Sequence, residues 1–327
     1  MHFLPLLDLE GQLVAALRKL GVNAVLDTTF AADLTIMEEA TELLRRITDK
    51  RPLPQFTSCC PAWVKFAETF HPELIPNLST TKSPISMQGT LIKTWYAKKR
   101  NLDPKKIFTA AITPCTAKKF EIRRPELEHA TDAILTVNEL AQWLKQAGID
   151  PLTLDPAPYD DLMGRGTGAA LIFGNTGGVT EATLRTAHFL ATKQNPPPEL
   201  LTYTPARGMD GIRTATVTLP PHTLNIAIVH GTANARTLLN KIKAGDAHYD
   251  FIEVMACRGG CIGGGGQPRT AIPPTDALRQ ARIKGLYALD TGKRLSHENP
   301  QVQTLYAEHL DTRRLHTTYT DRSADLG

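Results

Sequence analysis

The chain has 327 residues, 42% of them hydrophobic and 21% charged, with a formal net charge of +4. That composition fits an ordinary globular protein of one large domain or two lobes. No Lys/Arg run is long enough to mark a nucleic-acid interface, and no stretch approaches the roughly 20 apolar residues a membrane span needs. The mildly basic balance is compatible with an acidic docking partner.

The start, Met1-His-Phe-Leu-Pro-Leu-Leu-Asp-Leu-Glu10, is apolar but short. It lacks a basic n-region, and Pro5 and Asp8 interrupt it. It does not read as a signal peptide, and the expected compartment is the cytoplasm. Residues 11–20 carry a helix pattern, and residues 24–27 read as a short strand. Asp33 is expected to cap a helix over 34–50, with Glu38, Glu39 and Glu42 early and Arg45, Arg46 and Lys50 late. That charge order complements the helix dipole. On pattern alone it is a solvated face.

Gln55-Phe-Thr-Ser-Cys59-Cys60-Pro61-Ala-Trp63 reads as strand, turn and a helix opening at Pro61, which suits a first helical position. A cysteine there has its thiolate stabilised by unpaired N–H groups and the dipole. Two adjacent cysteines do not easily ligate one iron, so one reads as ligand and the other as free thiol. A second helix follows Ser83-Pro84 and runs to about residue 100. Residues 107–113 form a buried strand ending in Pro114-Cys115-Thr-Ala-Lys118-Lys-Phe-Glu121. Residues 133–137 give another strand and 138–147 a helix. Four strands separated by helices are the pattern of an α/β lobe with a largely parallel sheet.

Residues 148–168 are rich in Pro, Asp and Gly and read as a connector. Residues 169–174 are expected to be a strand leading to Asn175-Thr-Gly-Gly178 and a helix over 180–192. After a loop at 194–210 come strands at 214–219 and 225–230, then a helix at 233–244. A buried strand at 251–255 runs into Cys257-Arg-Gly-Gly-Cys261-Ile-Gly-Gly-Gly-Gly266. Residues 275–320 read as polar helices wrapped around the outside. The expected fold is α/β, with two lobes over about 12–150 and 169–270. Each lobe has a roughly four-stranded, largely parallel sheet flanked by helices, and the whole forms one catalytic unit.

The five cysteines are Cys59, Cys60, Cys115, Cys257 and Cys261. An odd number in a chain read as cytosolic argues against a disulfide framework. All follow strands, and ligands gather at the carboxyl ends of parallel strands. A cleft between lobes would bring them together. The candidate ligand set is Cys60, Cys115, Cys257 and Cys261, with Cys59 left over. Four thiolates make an iron–sulfur or a zinc site. Structural zinc usually shows two tight Cys-x2-Cys knuckles, so one Cys-x3-Cys plus two distant cysteines favours a cubane. Zinc, or buried thiols beside a tight turn, stay open on the residues alone.

Thr57-Ser-Cys-Cys-Pro-Ala-Trp63, Thr113-Pro-Cys-Thr-Ala-Lys-Lys-Phe-Glu121 and Glu253-Val-Met-Ala-Cys-Arg-Gly-Gly-Cys-Ile-Gly-Gly-Gly-Gly-Gln-Pro268 resemble the three signature segments of the iron-only ([FeFe]) hydrogenase catalytic domain. Ala32-Asp-Leu-Thr-Ile-Met-Glu-Glu39, Lys82-Ser-Pro84, Phe173-Gly-Asn-Thr-Gly-Gly-Val179, Arg207-Gly-Met-Asp-Gly-Ile212 and His297-Glu-Asn-Pro300 fit in the same order. The resemblance covers about residues 12–320. It implies an H-cluster, a [4Fe-4S] cubane joined through a cysteine to a two-iron unit with CO, cyanide and azadithiolate ligands. By motif, Cys60, Cys115, Cys257 and Cys261 would hold the cubane, with Cys261 bridging. Cys59 would pass protons, Lys118 would hydrogen-bond a cyanide, and Pro114, Phe173 and Met255 would line the two-iron pocket. The implied proton route is Cys59, a water, Glu39, Ser79, Glu42 and the surface near Arg46. Thr80 and Thr81 are adjacent alternatives to Ser79.

Four departures from the pattern stand out. Thr113 replaces a usual methionine, Ile85 a common glutamine and Arg258 a usual proline, and an Ala-Pro-containing segment has no counterpart before Leu13. They bear on turnover, oxygen response and direction. The resemblance implies reversible proton reduction to H2, electrons from a ferredoxin or an iron–sulfur partner subunit, and maturation proteins that build the two-iron unit. The alternatives are a slow hydrogen sensor and a hydrogenase-like iron–sulfur assembly scaffold. Such scaffolds lack the extra cysteine that Cys59 represents.

Overall fold

The computed structural model describes residues 9–268, 275–308 and 311–326. Among the described residues, six strands form two sheets. They are β1 (Gln55–Phe56), β2 (Ala110–Thr113), β3 (Ala133–Thr136), β4 (Ile212–Leu219), β5 (His222–His230) and β6 (Phe251–Met255). One sheet has the order β1-β6-β5-β4 and the other pairs β2 with β3. β6 runs parallel to both neighbours, with Phe56 opposite Ile252 and His230 opposite Met255. β4 and β5 are antiparallel, and β2 and β3 are parallel.

The reason β6 is central lies in its sequence. All five residues are buried, the run expected of a parallel strand covered on both faces. Phe251, Ile226 and Ile228 pack one way against Leu43 and Leu184. Ile252, Val254 and Val229 pack the other way against Phe56, Trp63 and Leu238. The chain therefore leaves β1, β2 and β6 at buried strand ends, each a few residues before a cysteine.

The α/β class is as expected, but the strands divide four and two instead of about four in each lobe. Residues 24–27 are not a strand, because their backbone groups pair with the connector. Val25 N donates to the Asp160 carboxylate at 2.7 Å, and Asp160 N donates back to Val25 O at 3.0 Å. Residues expected as a strand at 169–174 form the helix Gly168–Ile172. A short apolar run buried on all sides fits either element, and its alanines favour the helix. β1, in turn, joins β6 across the length of the chain.

The long helix Thr28–Thr48 begins six residues earlier than expected and is capped by Asp27, which accepts from Thr29 N at 2.9 Å. Asp33 is not a cap. It is fully buried and accepts from Thr167 N (2.7 Å), Thr167 Oγ1 (2.6 Å) and Asn299 Nδ2 (2.9 Å). The helices Pro61–Phe70 and Pro84–Leu91 begin at prolines as expected, and the second continues through a π-helical turn at Ile92–Tyr96. The C-terminal segment is less peripheral than its polarity indicates. Val302, Leu305 and Leu315 pack with Phe30, Leu34 and Met87.

Candidate active site

Cys60 is the N-cap of the helix Pro61–Phe70, and Ala256 N donates to its Sγ at 3.4 Å. Pro114 and Cys115 follow β2. The glycine run is pulled onto them, with Gly266 N donating to Pro114 O at 2.8 Å. A Cβ on Gly264 would lie 2.4 Å from Pro114 O, so no side chain fits there. Gly260, at a φ of +88°, bridges Asn175, and its Cβ would lie 2.6 Å from Thr176 N. The loop holding Cys257 and Cys261 is thus clamped between two neighbours.

All five cysteines are free and partly buried. Burial, then charge at Cys60 and Cys115, raises the Cys257 thiol to about 11. Burial likewise raises Cys261, with Cys115, Cys60 and Cys257 adding to it. Cys60 is raised by burial first and feels Cys115. Cys60, Cys257 and Cys261 each feel the charge of Cys115, so the four thiols are near enough to interact, and their thiolates would need a compensating cation. Among the described residues, no three His, Cys, Asp or Glu side chains close on a single ion. A spread set of four thiols fits a four-iron cubane better than one zinc.

Cys59, Cys60 and Cys261 pack in an apolar group with Phe173, Met255, Ile36 and Val179. The sequence-expected pocket residues Phe173 and Met255 are thus together with the cysteines. Lys118 donates to both Glu121 carboxylate oxygens (2.9 and 2.8 Å) and to Cys59 O (3.1 Å). Burial pulls its pKa down, but Glu121 and the nearby thiols outweigh this and hold it raised. Of the departures, Thr113 Oγ1 accepts from Cys115 N at 3.4 Å. Ile85 is buried. Arg258 lies outside, paired twice with Asp276.

Glu39 is 3% exposed, so it is no part of a solvated face. Its carboxylate accepts from Gln55 Nε2 and Ser79 Oγ, both at 2.8 Å. Ser79 Oγ also lies 3.3 Å from Glu42 Oε2. Of the alternatives to Ser79, Thr80 donates to Glu42 at 2.8 Å, whereas the Thr81 hydroxyl has no partner among the described residues. Burial, then the neighbouring Glu42, pushes the Glu39 pKa up to about 8. Cys59 is raised by burial and also feels Glu39, but no hydrogen bond joins the two among the described residues. Arg46 is buried, not at the surface. It donates to Glu42 (2.7 Å) and to the carbonyls of Pro52, Pro76 and Leu78, which these turns leave unpaired.

The sequence reading missed Gln55 and His316 as members of this network and Glu121 as the partner of Lys118, and it held Thr80 only as an alternative to Ser79. Glu121 had a signal, its i+3 spacing from Lys118. His316 had none, because its partner Thr80 is 236 residues away.

Residues 3–265 match the family described as iron only hydrogenase large subunit, C-terminal domain, and residues 276–322 match iron hydrogenase small subunit. Iron hydrogenase 1 of Clostridium pasteurianum is 43% identical over 93% of this chain and 54% of its own length. The periplasmic [Fe] hydrogenase large subunit of Nitratidesulfovibrio vulgaris is 49% identical over 79% of this chain and 62% of its own. The chain thus spans little more than half the length of these relatives. A cytosolic Fe-S cluster assembly factor of Xenopus tropicalis is 32% identical over 95% of this chain and 69% of its own. Among solved structures, a variant of a Chlamydomonas reinhardtii [FeFe]-hydrogenase superposes with a TM-score of 0.83 at 38% identity, covering 95% of this chain and 88% of that one. A structure of stepwise [FeFe]-hydrogenase H-cluster assembly gives 0.82 at 39%, with the same coverage. With both family segments in order and the fold shared, the chain belongs to the iron-only hydrogenase family, a large-subunit catalytic domain continued by a small-subunit-like segment.

Proposed function

We propose that this chain catalyses the reversible reduction of protons to H2 at an H-cluster. Cys60, Cys115, Cys257 and Cys261 would hold the cubane, and Phe173, Met255, Pro114 and Lys118 would line the pocket of the two-iron unit. When bound, that group supplies redox-active iron at which electrons and protons combine. The protein's part is to exclude water, aim Lys118 and deliver protons. The observation that carries the reading is the hydrogen-bonded line Glu39–Ser79–Glu42, whose buried Glu39 is near enough for its charge to act on Cys59. A thiol off the metal and a carboxylic acid with a pKa near neutrality are what proton delivery needs. Electrons would come from a ferredoxin or an iron–sulfur partner subunit, and maturation proteins would supply the two-iron unit. The proposed place of action is the cytoplasm. No helix among the described residues is long and apolar enough to cross a membrane.

The assembly-factor relative supports a second reading, a scaffold that holds clusters without making H2. Cys59 with its adjoining carboxylate line favours the enzyme. A hydrogen sensor would be told from the enzyme by its kinetics. The test is H2 release from reduced viologen by anaerobically reconstituted protein given the two-iron cofactor. Wild type should produce H2. Cys59→Ala should keep its iron and lose about 10²-fold or more of the rate. Full activity in Cys59→Ala removes the thiol from the relay, and no H2 from loaded wild type favours the scaffold.

A further inference from the structure

The expected proton route runs to the surface at Arg46, yet the structure blocks that exit. The Arg46 side chain is 6% exposed. Its guanidinium is committed to Glu42 and three backbone carbonyls. A guanidinium does not give up its proton in a protein, so it cannot hand one on. The line from Glu39 through Ser79 reaches Glu42, whose side chain is only 11% exposed and is held by Arg46.

A different connection leads out. Thr80 Oγ1 donates to Glu42 Oε2 at 2.8 Å and lies 2.8 Å from His316 Nδ1. The other ring nitrogen, Nε2, is 3.0 Å from Glu38 Oε2. The His316 side chain is 25% exposed, against 11% for Glu42 and 6% for Glu38. Its position is fixed by backbone bonds, Thr317 N to Thr80 O at 2.7 Å and Lys82 N to Leu315 O at 2.9 Å. The charged and titratable groups facing the ring are Glu38 and Glu42 from the helix Thr28–Thr48, with Tyr306 reaching Glu38 from the helix Pro300–Ala307.

We infer that His316 is the solvent-side proton port of the relay, acting through Thr80 on Glu42. The inference rests on the hydrogenase reading above. In the H2-forming direction, the imidazolium passes its Nδ1 proton to Thr80 Oγ1 while the Thr80 hydroxyl proton passes to the Glu42 carboxylate. His316 is left neutral, with its Nε2 proton still toward Glu38, and water re-protonates the vacated Nδ1 of the part-exposed ring. One proton enters and one leaves, and Glu38 steadies the charged ring. A hydroxyl can give and accept at once, and imidazole is the side chain that exchanges protons near neutrality. His316 lies in the stretch that matches the small subunit, whereas Thr80 and Glu42 lie in the large-subunit stretch. The small-subunit-like segment would thus contribute a working residue as well as a cover.

The test uses the loaded enzyme and His316→Ala, His316→Gln and Thr80→Val. H2 release by both His316 variants should fall on the order of 10²-fold with iron content unchanged. Added imidazole should restore His316→Ala and leave Thr80→Val slow. His316→Gln guards against a folding defect, since it should melt like wild type yet remain slow. Wild-type rates in both His316 variants would overturn the port and leave the hydrogenase reading standing, because wild-type H2 release is its own test. A second arm uses protein lacking the two-iron unit, so it does not depend on turnover. Glu42→Gln should shift the ¹⁵N resonances of the His316 ring, and unchanged resonances would overturn the link.

Discussion

Glu39 shows how one side chain's surroundings set its task. Burial and the nearby Glu42 raise its pKa to about 8, against the hydrogen bonds from Gln55 and Ser79 that lower it. At neutral pH it is mostly a carboxylic acid and can give a proton to a neighbour. The same shift ties stability to pH. The folded pKa lies above the unfolded value of about 4.5, so between those values the folded state binds more protons. The Glu39 contribution to stability is therefore fully present below pH 4.5, falls as pH rises and levels off above about 8. Glu39→Gln, which cannot ionise, should flatten the melting temperature of the metal-free protein between pH 5 and 8. A slope equal to wild type would mean another group titrates there. The three-residue spacing of Glu39 and Glu42 was legible in the sequence, but their burial was not. Gln55 and Thr80 close the network from 16 and 38 residues away, distances that no local pattern spans.

At the scale of elements, the cysteines stay where strands end, and the strands stay where helices are pinned. Asp33 does the pinning for three segments, joining the helix Thr28–Thr48 to Thr167, at the N-cap of the helix Gly168–Ile172, and to Asn299, which caps Pro300–Ala307. Asp33→Ala would leave several buried donors without partners. It should cost about 3 kcal/mol in chemical denaturation, since hydrogen bonds to charged groups are worth about 1.5–3 kcal/mol each. A loss under about 1 kcal/mol would show that water takes over these donors. Strong local signals gave most elements correctly, among them Pro61 and Pro84 at helix starts and the buried apolar run of β6. Residues 24–27 and 169–174 were misread because their outcome depends on partners. Asp160 takes the backbone of one, and burial against the long helix turns the other into a helix.

The fold brings the ends of β1, β2 and β6 and the glycine loop to the cysteines, and it hydrogen-bonds Glu39, Ser79 and Glu42 in the line proposed as the proton route. The cysteine spacing and the signature segments made that centre legible. The route out of it was not, because it depends on a C-terminal segment folding back on residues 80–82. The sequence reading placed that segment on the outside, whereas Leu315 is in the core and His316 meets Thr80. The central claim is that this chain builds an H-cluster. An infrared spectrum of the anaerobically matured protein, under argon and then under hydrogen, tests it most directly. The account predicts cyanide and carbonyl bands that shift when hydrogen is admitted. A protein that carries four cubane irons by analysis, yet shows no such bands after being given the two-iron cofactor, would contradict it.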